Sequence, residues 1–211
     1  QIYTDVDGVY TTDPRLVPNA RKLDEITYDE MLELASQGAQ VLHNRSVELA
    51  KKFRVNLEVL SSLERKPGTK VKEVTKVEKT NIAGVAKDTS IARVALVGLG
   101  HNPGVAFQVF DLLSKHNINV DVILQSIGRE DTKDISFTVH EKDLEETVQI
   151  LTDSKQTLKF DHIAADDHIG KVSIVGAGLM SNCGVAAKMF EALYEAGINI
   201  QMINTSEIRV S

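Results

Sequence analysis

The chain has 211 residues, 42% hydrophobic and 26% charged, with 13 Gly and 4 Pro, an ordinary globular composition long enough for two or three small units. Against 30 Asp plus Glu stand 24 Lys plus Arg, a formal net charge of −6, which argues against nucleic acid or an anionic membrane as a partner. The single cysteine, Cys183, excludes an intrachain disulfide, and without a long apolar run or a signal-peptide pattern the expected compartment is a reducing cytoplasm.

The sequence opens at Gln1 on Ile2-Tyr3-Thr4-Asp5-Val6-Asp7-Gly8-Val9-Tyr10, which reads like the inside of a domain, and closes on a strand-like Ile208-Arg209-Val210-Ser211. It reads as a fragment cut at both ends. Asp5-Val6-Asp7-Gly8 and Asp13-Pro14-Arg15 carry turn chemistry. Thr27 and Glu30 form a capping box that predicts a helix ending at Gly38. A second helix is expected over 44–53, with Lys51, Lys52 and Arg54 at its C-terminal end. His43, just before it, suits a packed or capping role better than a catalytic one. A short strand is expected over 56–60. Residues 63–80, rich in Lys, Glu and Thr around Pro67-Gly68, read as an exposed linker.

From residue 82 onward the sequence repeats itself. Arg93-Val94-Ala95-Leu96-Val97-Gly98-Leu99-Gly100 followed by Gly104-Val105-Ala106 returns as Lys171-Val172-Ser173-Ile174-Val175-Gly176-Ala177-Gly178 followed by Gly184-Val185-Ala186. Ile118-Asn119-Val120 likewise returns as Ile198-Asn199-Ile200. Two copies of one supersecondary unit follow. The first predicts strand 93–98, helix 103–116, strand 119–127, strand 134–140, helix 142–153 and strand 158–165, the ferredoxin-like βαββαβ order. The second predicts strand 171–176, helix 182–196 and strand 199–210, with Ile82-Ala83-Gly84-Val85-Ala86 as a donor strand for its open edge.

A strand, Gly-x-Gly and a helix suggest a dinucleotide fold, but the third glycine comes too late in both copies, and no acidic residue ends the following strand. A helix beginning near Pro103-Gly104 offers unpaired N–H groups to a carboxylate, and Asn119 with Asp121 on an adjacent strand suits an ammonium group. A small amino acid carries both charges. Pro103 as a plain helix start explains the same residues without a ligand.

These motifs resemble the aspartate kinase family: Tyr3-Thr4-Asp5-Val6-Asp7-Gly8-Val9-Tyr10-Thr11-Thr12-Asp13-Pro14-Arg15, the repeated units, and Asn204-Thr205-Ser206-Glu207-Ile208-Arg209. The resemblance covers the whole chain and implies an α+β protein. Residues 1–62 would be the C-terminal piece of an α/β amino-acid-kinase domain, 81–167 a ferredoxin-like ACT domain, and 168–211 a truncated second one. It implies ATP binding by Thr4, Asp5, Tyr10, Thr11, Thr12, Asp13, Pro14 and Arg15, with Arg15 offsetting phosphate charge. Without the resemblance, those residues read as an acidic turn with an Arg–Asp pair.

Effector binding is implied for His101, Asn102, Pro103, Gly104, Val105 and Ala106 with Asn119, Val120, Asp121 and Gln125. In the second unit the implied set is Val185, Ala186, Asn199, Ile200, Ser206 and Glu207. His101 stands where the family often has Asp, and Cys183 where it often has Pro; Cys183, at a helix start, reads as a small buried thiol or as one of lowered pKa.

The implied parent enzyme phosphorylates L-aspartate with ATP and Mg to 4-phospho-L-aspartate, is inhibited by lysine, threonine or both, and forms a homodimer through its ACT domains. The family's Lys-x-Gly-Gly phosphate region is absent here, so no catalytic or metal-binding residue is assigned and no tightly bound cofactor is expected. The alternative is a non-catalytic ACT subunit that binds lysine or threonine and assembles with a separate kinase chain.

Overall fold

The computed structural model describes residues 1–74, 82–100, 102–127, 132–179, 181–182 and 184–211. They form two compact units, residues 1–88 with 171–211, and residues 89–170.

The first unit opens with β1 (Ile2–Thr4) and β2 (Glu25–Thr27), then α1 (Tyr28–Ser36). The capping box forms as its residues predict: the Thr27 hydroxyl accepts from the Glu30 amide, and the Glu30 carboxylate accepts from the Thr27 amide. Gln37 caps the other end and Gly38 follows at φ +107°. Next comes α2 (Asn44–Phe53), with His43 as its N-cap accepting from the Arg45 amide at 3.2 Å. β3 (Leu57–Ser61) and β4 (Thr69–Lys72) complete a sheet of order β1-β3-β4-β2, in which β3 and β4 alone run antiparallel. Ile26, Met31, Leu34, Val47, Val59 and Val71 form the core beneath it.

The stretch 63–80, expected as an exposed linker, therefore contains a central strand. Its charge alternation has the period of a strand: Thr69 and Val71 are fully buried, Lys70 is exposed, and Lys72 meets Glu25 at 2.5 Å. Residues 63–67 and 73–74 on either side are exposed as expected, and residues 75–80 lie outside the described residues. β5 (Gly84–Asp88) follows.

The second unit runs β6 (Ile91–Leu99), α3 (Val105–Lys115), β7 (Val120–Ile127), β8 (Lys133–His140), a 3-10 turn (Glu141–Asp143), α4 (Leu144–Asp153), α5 (Lys155–Leu158) and β9 (His162–Asp166). The sheet order is β7-β8-β6-β9, antiparallel throughout, the ferredoxin-like arrangement expected. The strand expected over 158–165 begins later, because Lys159 at φ +54° ends α5 and turns the chain first. Val94, Leu96, Leu113, Phe137 and Leu151 are completely buried between sheet and helices.

Back in the first unit come β10 (Lys171–Val175), α6 (Val185–Glu195) and β11 (Arg209–Val210). Their sheet has the order β11-β10-β5, with Gly84 opposite Val175 and Asp88 opposite Lys171. Alternation splits β10 between two layers. Val175, with Ala86 of β5, joins the core that contains α1, whereas Val172 and Ile174 line a cavity of about 450 Å³ under α6. The strand expected over 199–210 shrinks to Arg209–Val210. Thr205 bridges Val210 and Ser206 N bonds Arg209 O at 2.9 Å, so the chain turns back on itself there, and among the described residues no strand pairs with 199–203.

Candidate nucleotide and effector sites

The loop over residues 5–22 leaves the C-terminal end of β1, which runs parallel to β3, and the carboxyl ends of parallel strands are where α/β sheets bind ligands. Its fold is fixed from below by Thr69. The buried Thr69 hydroxyl accepts from Val9 N at 2.8 Å and donates to Leu23 O at 2.6 Å. Asp7 is the second anchor, receiving the Tyr10 hydroxyl at 2.8 Å and Lys22 Nζ at 3.1 Å, while Lys22 also donates to Pro67 O at 2.8 Å. Burial opposes ionisation of Asp7, but the Tyr10 and Lys22 hydrogen bonds and the Lys22 charge outweigh it and hold the carboxyl below its ordinary value. The same contact, with some desolvation, pushes the Tyr10 hydroxyl up. Neither Lys22 nor Thr69 stands out in sequence as a site residue.

Among the expected nucleotide residues, Thr4 Oγ1 donates to Asp5 at 2.9 Å, and Thr11 Oγ1 accepts from Arg21 N at 3.0 Å. Arg15 is folded onto Asp13 through its Nε and Nη2, at 3.0 and 2.8 Å. The side-chain and backbone hydrogen bonds of Arg15 hold the Asp13 carboxyl below its ordinary value. The Arg–Asp pair thus forms, Thr12 beside it is half-buried, and Pro14 is exposed. Thr11 is also tied outward, its carbonyl accepting from Val85 N of β5 at 2.7 Å.

In the second unit, β6 ends in a bulge where Gly98 has φ +75° and its amide donates to Asp134 Oδ1 at 2.9 Å. Asn102, Pro103 and Gly104 are exposed, and Val105 and Ala106 half-buried, at an α3 N-terminus with no side-chain cap. Among the described residues no side chain caps these first amides. His101 lies outside the described residues.

Asn119 and Asp121 are not beside this loop. β8 separates β7 from β6, and the register aligns Val120 with Val139 and Ala92, but Ile127 with Lys133 and Leu99. Asn119, Val120 and Asp121 therefore stand at the opposite end of the sheet from Leu99 and Gly100, and of the described residues in this set only Gln125, opposite Ile135, approaches that end. The expected meeting of loop, Asn119 and Asp121 around one ligand does not occur within the unit, because the direction of β7 after a helix crossover carries its start to the far end.

The second repeat follows the same plan in the first unit. Val185 and Ala186 are half-buried at an uncapped α6 N-terminus, and Gly184 shares the φ of +91° found at Gly104. Asn199 and Ile200 are exposed ahead of the hairpin, and Ser206 and Glu207 form its turn. Cys183 lies outside the described residues. α1 presents three polar groups at helical spacing to this repeat. Glu30 Oε1 accepts from Ala177 N at 3.1 Å, Glu33 Oε2 from Arg209 Nη1 at 3.3 Å, and Gln37 Oε1 from Ser173 Oγ at 3.2 Å. None of the described helices is long and apolar enough to cross a membrane.

A first unit that carries a parallel-strand loop and a partial copy of the ferredoxin-like plan, with a complete copy inserted in the chain at residues 89–170, defines an amino-acid-kinase segment with ACT regulatory domains. Sequence comparison agrees: residues 1–61 match the Amino acid kinase family, and residues 94–154 and 172–211 match the ACT domain. An aspartate kinase of Pseudomonas putida is 48% identical over all of this chain and 52% of its own length. The regulatory subunit of aspartate kinase from Thermus thermophilus is 37% identical over 62% of this chain and 86% of its own, with a TM-score of 0.58. Aspartokinase III of E. coli, solved with aspartate and ADP, matches at 29% identity and a TM-score of 0.83 over 99% of this chain and 46% of its own; it has also been solved with lysine and aspartate. The chain belongs to the aspartate kinase family, corresponds to its C-terminal region, and spans about half the length of the curated relatives it matches.

Proposed function

We propose that this chain is the nucleotide-loop end and feedback-sensing part of an enzyme that transfers the γ-phosphoryl group of ATP to the side-chain carboxylate of L-aspartate. The Val85 N to Thr11 O hydrogen bond carries the reading, since it joins the loop expected to hold nucleotide to the sheet of the second ACT repeat. Residues 1–62 supply the catalytic piece, and the two repeats supply the sensor. Hydroxyls of Thr4, Tyr10, Thr11 and Thr12 and the carboxylates of Asp5 and Asp13 suit ribose and base recognition. Arg15 turns toward phosphate by exchanging Asp13 for it. ATP, when bound with Mg, supplies the phosphoryl donor; the groups that cradle it come from elsewhere in the parent enzyme.

The effector is an aspartate-derived amino acid, lysine, threonine or both. The lysine complex of the E. coli relative supports lysine. Loop 100–104 and Asn119–Asp121 would serve one ligand across a homodimer. Two β7 edges paired antiparallel bring the start of one strand to the loop end of the other sheet, and exposed Ile123 and Ile127 along that edge support such pairing. The proposed setting is cytoplasmic.

A non-catalytic regulatory subunit is the second reading, favoured by the Thermus likeness. That likeness covers 62% of this chain, whereas the E. coli kinase matches 99% of it, so the amino-acid-kinase segment favours the enzyme. Aspartate-dependent ADP release by the full-length protein, inhibited by millimolar lysine or threonine, is the expected result. A full-length protein that neither consumes ATP with aspartate nor binds either amino acid overturns it.

A further inference from the structure

Each repeat ends its first strand in glycine and must hold the amides of the following turn. The first repeat does so internally, with Asp134 of its own β8 on the Gly98 amide. The second repeat draws its carboxylate from the catalytic segment. Glu30 is 9% exposed; its Oε1 accepts from Ala177 N at 3.1 Å, and its Oε2 accepts from Thr27 Oγ1 at 2.8 Å and Thr27 N at 3.2 Å.

We infer that Glu30 is a positioning residue that couples the glycine turn of the second repeat to the start of α1. One buried carboxylate closes the capping box of the helix and at the same time holds the turn. A change that withdraws the Ala177 amide leaves a buried carboxylate oxygen without its donor, an expensive state. The carboxylate must then shift, and the capping bonds at Thr27 shift with it. The connection is short and direct, since the two oxygens of one rigid group cannot move independently. Movement of the turn toward a ligand carboxylate is therefore felt at β2 and α1, which share a core with the nucleotide loop through Val9 and Ile26. That functional consequence rests on the effector reading above; the coupling itself does not.

The experiment uses Ala177→Pro. Gly176 O accepts from Leu179 N at 3.2 Å, which makes Ala177 the second residue of a turn, where proline is accommodated while its amide is lost. Hydrogen exchange of the intact protein is read by mass spectrometry for segments 27–34, 176–179 and, as reference, 91–99. Ala177→Pro is expected to accelerate exchange in 27–34 about fivefold or more, with 91–99 unchanged. Glu30→Asp, which keeps the charge but is too short to span both partners, accelerates both 27–34 and 176–179. Thr27→Ala, which removes the hydroxyl that accepts from the Glu30 amide and donates to Glu30 Oε2 but leaves the Thr27 amide on that carboxylate, accelerates 27–34 most and, by reciprocity, 176–179 to a lesser extent than Glu30→Asp does. Wild-type exchange in 27–34 of the folded Ala177→Pro protein, or acceleration of 176–179 by Thr27→Ala equal to that by Glu30→Asp, overturns the coupling.

In the full-length enzyme, the factor by which lysine or threonine raises KM for ATP falls toward one in Ala177→Pro and Glu30→Asp. A wild-type factor in both variants counts against the coupling. A wild-type enzyme indifferent to both amino acids defeats the effector reading and leaves the exchange result standing.

Discussion

Gly68 lies against the carbonyl of Val59 so closely that a Cβ on Gly68 would sit 1.8 Å from that oxygen. The contact is backbone to backbone, between the approach to β4 and the middle of β3, and neither side can yield without breaking the antiparallel pair Val59–Thr69. Gly68→Ala should destabilise the first unit by about 3 kcal/mol, the upper range for overpacking. Urea unfolding followed by circular dichroism measures it. A loss below about 1 kcal/mol would mean that the strands separate easily there.

Thr69→Val keeps the shape of a fully buried side chain and removes its hydroxyl, leaving the Val9 amide and the Leu23 carbonyl without that partner. The expected cost is about 1–3 kcal/mol. In the full-length enzyme KM for ATP should rise more than kcat falls, because the loop is displaced before any chemistry. An unaltered KM would separate Thr69 from the proposed nucleotide site.

Asp7 gives the first unit a pH dependence of known sign. Its carboxyl lies below the ordinary 3.8 in the folded protein. The ionised group therefore adds stability above the unfolded-chain value, and that contribution disappears as pH falls through the lower native value. The melting temperature of the native protein should exceed that of Asp7→Asn at pH 7, and the gap should close as pH drops below about 3.8. A gap independent of pH would assign the effect to packing.

Ile127 is 88% exposed on the β7 edge. Ile127→Asp should lower the association of the protein in sedimentation equilibrium while leaving its melting curve, at a concentration where it is monomeric, nearly unchanged. Equal masses for the native and variant proteins would remove β7 from the proposed dimer interface.

Local signals in the sequence were reliable where one stretch of chain decides the outcome. Thr27 and Glu30 mark the start of α1 because the capping box is complete within four residues. α2 spans the expected Asn44–Phe53 because its apolar spacing and basic end agree. The repeat announces β6, α3, β10 and α6 for the same reason. The failures are all non-local. Residues 69–72 look like a linker until Glu25 stands beside Lys72 and Leu23 accepts from Thr69. Residues 199–203 look like a strand, but among the described residues no strand pairs with them. Asn119 reads as a neighbour of loop 100–104 until register places it at the other end of the sheet. Glu30 was visible as a cap, yet nothing near it in sequence announces Ala177, since that partner arrives only after the whole first repeat has been traversed.

The pairing of Asp88 with Lys171 makes the first repeat an insertion. The chain departs from one strand of a two-strand ladder, builds an entire ferredoxin-like unit, and re-enters on the neighbouring strand directly opposite its point of departure. What is sequentially the second repeat is therefore closed by a strand synthesised before the first. On a ribosome, the earlier repeat can complete its own sheet while β5 still waits for β10. Excision of residues 89–170 with a short turn in their place would convert β5 and β10 into an ordinary hairpin, so the ladder that borders Thr11 could be kept intact while one ACT repeat is removed or exchanged for another.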